Sequence, residues 1–216
     1  MVAQPDLQRF KSLLDSSRNF LVLLPQNPHF DAVASGLSLY LALRAHEKEV
    51  TLACPSQMIV EFNRLVGVDK VRQELGGQNL SLTLDNYQAE DIEKVSYNIE
   101  AGKFNLLIVP KAGARPPRQE QVRIGFAGAL AEVLIIVGAK TRSELGKFSA
   151  NQELFASQTN LVLLGNLPVQ GFQNAVEVID PVAACASEVV FQILEQVNWP
   201  LDADTSGNLL AGIKAG

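Results

Sequence analysis

Three short apolar runs constrain this chain more than anything else in it: FLVLLP at 20–25, AEVLIIVG at 131–138 and NLVLLG at 160–165. Each is continuous rather than alternating, as expected of a strand buried on both faces. Helical period surrounds the first run. Leu7, Phe10, Leu13 and Leu14 recur over 5–17, and Val33, Leu37, Tyr40 and Leu41 over 30–46. EVTLACP at 49–55 reads as a further strand, and SQMIVEFNRLVG at 56–67 as a helix stopped by Gly67. Alternating strands and helices predict an α/β fold with a mainly parallel sheet.

The middle of the chain departs from this pattern. LSLTLD (80–85), IEKVSYNIE (92–100), KFNLLIVP (103–110) and QVRIGF (121–126) are strand-like, with no long helical period between them. The second and third form a hairpin turning at Ala101-Gly102, where glycine supplies a positive φ. Residues 80–126 therefore read as a small antiparallel insertion in a single domain spanning 1–216. The loop between hairpin and last strand brings Lys111, Arg115, Arg118 and Arg123 around two prolines. Such a cluster is either a phosphate or nucleic-acid contact or a solvated loop. After the insertion the α/β pattern resumes, with a helix expected at 149–158, a strand at 175–180 and helices at 182–197 and about 202–213.

Composition narrows the classes. With 216 residues, 47% of them hydrophobic and 19% charged, the chain suits one globular domain with an embellishment. A net charge of −5 argues against a general nucleic-acid coat. Cys54 and Cys185 form no CxxC pair, which leaves a reducing cytoplasm as the expected compartment. The N-terminal segment is polar and lacks a signal-peptide core, and no run approaches the ~20 apolar residues of a membrane span. Two histidines, His29 and His46, are a small supply for a metalloenzyme.

In an open α/β sheet, ligands sit beyond the carboxyl ends of the strands. The corners to inspect are PQNPHFD after the first run, GAKTRSELG after the second and GNLPVQGF after the third. Only the first offers both an imidazole and a carboxylate, His29 and Asp31. Asp31 is placed to cap the helix that begins near residue 32. A helix start there could take a phosphate, with Lys140 or Arg142 as counter-charge. Cys185, at the start of another helix, is either a reactive thiol or a small buried residue. Trp199 is expected to cover the core.

These corners resemble the motifs of the DHH phosphoesterases, the superfamily of RecJ, nanoRNase and exopolyphosphatase. PQNPHFDAVAS matches the frame of the family's first motif, H-x-x-P-D-x-D-A-x-G-S, at Pro28, Asp31, Ala32 and Ser35. Pro25 stands where the family has its histidine, and His29 where it has its first aspartate. In LIIVGAKTRSELG, Gly138 takes the place of the second-motif aspartate while Leu145-Gly146 match. In LVLLGNLPVQGF, Gly165, Asn166 and Leu167 stand in place of Asp-His-His, and Pro168 matches. DPVAACASE keeps Asp180, Pro181, Ala183, Ala184 and Glu188, and LLAGIKAG sets Gly216 at a further aspartate.

The resemblance implies a three-layer sheet domain of the DHH type and a metal-dependent phosphoesterase ancestry. The family's two Mn²⁺ or Mg²⁺ ions would have only Asp31, with His29 as a substitute donor, so no cofactor is expected. Pro25, His29, Asp31, Gly138, Lys140, Gly165, Asn166 and Leu167 would line a vestigial cleft. The family's C-terminal substrate-binding domain (the DHHA1 type) has no counterpart here. The expected function is that of a pseudoenzyme, an interaction or ligand-binding protein that pairs with itself or an active paralogue. Two other readings stay open: a divergent metal-dependent phosphodiesterase on short oligonucleotides or nucleotide phosphates, and a nucleic-acid-binding module.

Overall fold

The computed structural model describes residues 4–75, 79–127, 131–155 and 159–216. The chain divides into two compact units, residues 1–76 with 129–216, and residues 77–128.

In the first unit, five strands form one sheet: β1 (Asn19–Leu23), β2 (Glu49–Ala53), β7 (Val133–Val137), β8 (Asn160–Gly165) and β9 (Val176–Ile179). Their order is β2-β1-β7-β8-β9 and every neighbouring pair is parallel. The apolar runs are the central strands because both their faces are covered. Phe20, Val22, Val133, Ile135, Val137, Val162 and Leu164 point to one layer, and Leu21, Leu23, Leu134, Ile136 and Leu163 to the other.

The first layer is helical: α1 (Gln4–Ser16), α2 (Phe30–Ala45), α3 (Ala186–Gln196) and α4 (Ala203–Ala215). Leu7, Phe10 and Leu14 of α1, and Val189, Val190 and Ile193 of α3, join the strand side chains in this core. Helix α2 is apolar almost all round because sheet, α3 and α4 enclose it. Helix α4 comes close to the start of α3 because Gly212 carries no side chain; a Cβ there would collide with the Ser187 hydroxyl. Trp199 packs on this core and stacks on His46, ring centroids 3.9 Å apart.

The opposite layer contains 3₁₀ turns rather than long helices. Leu145 and Phe148 come from the turn Arg142–Ala150, broken at Gly146, and Leu154 from Gln152–Phe155. The helix expected at 149–158 is therefore two short turns as far as it is described, and residues 156–158 lie outside the described residues. The helix expected at 56–67 is a single 3₁₀ turn, Val60–Arg64. Only Phe62 and Leu65 are buried there, while the β-branched pair Ile59 and Val60 is exposed. Two buried residues and a β-branched start do not sustain an α-helix. Gly67 does end the segment, at φ +90°. The helix expected from 182 starts at Ala186.

In the second unit, β3 (Asn79–Leu84) pairs antiparallel with β6 (Val122–Ala127), and β4 (Ile92–Glu100) with β5 (Lys103–Pro110). The β4–β5 turn has positive φ at both Ala101 (51°) and Gly102 (75°), the two-residue geometry that matches strand twist.

Candidate functional site

The strand order reverses direction between β1 and β7, and an open parallel sheet forms its crevice at such a switch. The loops leaving β1, β7 and β8 meet there. A cavity of about 140 Å³ is lined by His29, Asp31, Gly138 and Lys140, with Gly165, Asn166 and Leu167 on its other side. Seven of the eight positions expected from sequence thus come together. Pro25 does not line it: the proline is buried, and its carbonyl accepts a bond from the Cys54 thiol at 3.3 Å. An adjoining cavity of about 530 Å³ shares His29, Asp31 and Asn166 and adds Glu61, Cys185 and Gly216.

Asp31 does something other than cap its own helix. His29 holds the N-cap position of α2, with extended backbone and no side-chain cap. Asp31 instead reaches across to α3. One carboxylate oxygen accepts the Ala186 N–H at 2.8 Å, and the other accepts the Ser187 N–H at 2.9 Å. These are orphan amides of the first turn of α3, where a negative charge also opposes the helix dipole. The Glu188 carboxylate accepts the neighbouring Ala184 N–H at 2.7 Å. Asn166 completes the corner, its amide donating to the Ala184 carbonyl at 3.0 Å. The anion-binding potential of the α3 start, as distinct from the α2 start singled out from sequence, is answered by protein carboxylates, so a phosphate there would have to displace them.

Of the two expected counter-charges, Lys140 lines the small cavity and Arg142 does not. Lys140 is exposed at the small cavity, and its backbone N–H bonds to the Glu144 carboxylate. Arg142 turns away: its guanidinium lies 4.0 Å from the Phe155 ring centroid, and its Nε donates to the Ser149 carbonyl. It lines a larger cavity, about 750 Å³, near the N-terminal ends of β8 and β9.

Gly138 has φ +73°, and a Cβ there would sit 2.5 Å from that of Ala32. The residue that would carry the family's second-motif aspartate is sterically closed to any side chain without a backbone shift. At Gly165, by contrast, a Cβ meets no atom within 4 Å. Cys185 is buried, and burial foremost pushes its thiol pKa up, with the Asp31 charge adding to this, so it is a poor nucleophile.

The metal pair that the family resemblance implies does not fit these residues. Asp31 has both oxygens on helix amides, His29 is exposed, and a hard divalent ion takes about six oxygen-rich positions. Among the described residues no three His, Cys, Asp or Glu side chains gather as a metal-binding group. Lys111, Arg115 and Arg118 are exposed on the loop between β5 and β6, in the second unit. The Arg123 side chain lies outside the described residues.

No protein-family model matches the chain, and no curated protein does. Five solved chains match in structure. One is the crystal structure of an exopolyphosphatase-related protein from Bacteroides fragilis, with a TM-score of 0.62 and 15% sequence identity. The match covers 100% of this chain and 50% of that one, so this chain spans half the length of its structural neighbour. At that identity the likeness concerns the fold alone, an α/β architecture with a mainly parallel sheet. Among the described residues no helix is long and apolar enough to cross a membrane.

Proposed function

We propose that this chain is a degenerate phosphoesterase of the DHH type that hydrolyses no phosphate ester and works by binding. The observation that carries this reading is Asp31. It is the one carboxylate matching the family's metal ligands, and both its oxygens hold the start of α3. A residue made structural in this way supports loss of chemistry more strongly than the missing histidines alone.

The cleft retains room for a small molecule or a partner's side chain, since binding pockets span roughly 300–1,000 Å³. Among the described residues, its 530 Å³ cavity is lined by Asp31 and Glu61 and by no lysine or arginine. That charge favours a neutral or cationic group over a phosphate.

Calorimetric titration with Mn²⁺, with a dinucleotide hydrolysis assay on the same sample, tests the proposal. Neither binding nor turnover is the expected result. Micromolar Mn²⁺ binding together with turnover that Asp31→Asn abolishes while the protein stays folded would overturn it.

A further inference from the structure

The β4–β5 ribbon has one wholly apolar face and one mixed face, where Leu107 lies beside Ser96. Its register sets Val95 beside Ile108, Tyr97 beside Leu106 and Ile99 beside Phe104, so one face is wholly apolar. Val95, Tyr97, Ile99, Phe104 and Leu106 are between 43% and 69% exposed. At 150–250 Å² for a large side chain, they present about 600 Å² of apolar surface, the upper end of what a monomer exposes in one patch. Among the described residues the ribbon has only two strands, so the outer edge of β4 carries no ladder partner along its nine residues. An open apolar edge of this length is a template for another strand.

The edge is complementary to itself. An antiparallel pairing with β4 of a second copy, centred on Tyr97, sets Val95 against Ile99 of the other copy and Ser96 against Asn98. It also sets Lys94 against Glu100, twice by symmetry. The backbone phase agrees. Glu100 and Lys103 close the two-residue turn and so exchange both backbone bonds. Counting back by twos, Asn98 and Ser96 also face β5, which leaves the N–H and C=O groups of Val95, Tyr97 and Ile99 pointing outward. A Tyr97 centre joins outward groups to outward groups. Centring on Val95 or Ile99 would keep that phase and lose both opposite-charge pairs.

We infer that two copies of this chain associate about a two-fold axis through β4, forming a four-stranded antiparallel sheet with one continuous apolar face. The inference rests on the second unit alone and is independent of whether the cleft is catalytic.

Sedimentation equilibrium of the full chain, over about 1–100 μM, is expected to give the mass of two 23.4 kDa chains. Hydrogen exchange at Val95, Tyr97 and Ile99 slows as concentration rises. Lys94→Glu and Glu100→Lys each bring like charges together twice and raise the dissociation constant roughly tenfold. Mixing these two variants restores both opposite pairs in a heterodimer and recovers association. Tyr97→Pro removes an outward N–H, leaves the β4–β5 bonds in place and gives a monomer. A monomeric wild-type chain throughout, charge variants that associate like wild type, or a mixture no tighter than its components would each overturn the inference.

Discussion

Replacing Asp31 tests whether its carboxylate holds the α3 helix in place. Asp31→Ala removes the acceptors of two amide bonds, 2.8 and 2.9 Å long, from residues that are 2% and 0% exposed. A charge-assisted bond contributes about 1.5–3 kcal/mol, and a lost cap costs about 0.5–2 kcal/mol. The two bonds share one carboxylate, so simple addition overstates the sum, and a loss of about 3 kcal/mol is expected. Asp31→Asn keeps one acceptor oxygen and turns an NH₂ toward the other amide, for a loss of about half that. The assay is urea unfolding followed by the fluorescence of Trp199. It is the chain's one tryptophan, lies just beyond α3 and reports on the first unit alone. With a slope near 3 kcal/mol per molar urea, the midpoint falls by about 1 M for alanine and about 0.5 M for asparagine. An alanine midpoint within about 0.2 M of wild type would refute the cap, and with it the reason for reading Asp31 as structural.

Three further outcomes follow from the same geometry. Gly138→Ala places a Cβ 2.5 Å from Ala32 on a φ of +73° and is expected to destabilise the first unit by about 3 kcal/mol, measured by the same urea midpoint. Cys54 and Cys185, 0% and 2% exposed with thiol pKa raised chiefly by burial, react slowly with a thiol reagent at pH 7.5 until urea unfolds the chain; rapid labelling of the native protein would contradict their burial. Asp202 caps α4 by accepting the Thr205 N–H at 2.7 Å, which holds its carboxyl below the usual range. A depressed folded pKa stabilises above the unfolded value of about 3.9 and is lost as pH falls through the folded one, so the stability gap between wild type and Asp202→Ala is open at pH 7 and closes toward pH 2.

The sheet was readable because a strand covered on both faces must be apolar throughout, and VLIIV or LVLL allows few other fates in water. The cleft was readable for a related reason. Ligand corners follow strand ends, and adjacent parallel strands deliver His29, Gly138 and Gly165 to one place. The partner of Asp31 could not be read in the same way. A carboxylate at a helix start has the same local pattern whether it caps that helix or another, and the distinction depends on how α2 and α3 pack. Arg142 was misplaced because its attraction to Phe155 is a contact made only in the folded state. Residues 56–67 carry apolar spacing compatible with an α-helix, but burial reaches only Phe62 and Leu65, and a 3₁₀ turn suffices for two side chains.

The bond from Asp31 to Ala186 also orders events in time. It joins residues 155 positions apart, so everything from β1 to α3 must be made before α3 finds its cap. Closure of such a loop must precede the contacts that reward it, which makes long-range contacts slow to form. Until then the carboxylate stands in water and the α3 amides have no acceptor across the cleft. During synthesis the corner between β1 and α3 can close only after α3 has emerged. The cleft thus cannot seal before α3 exists.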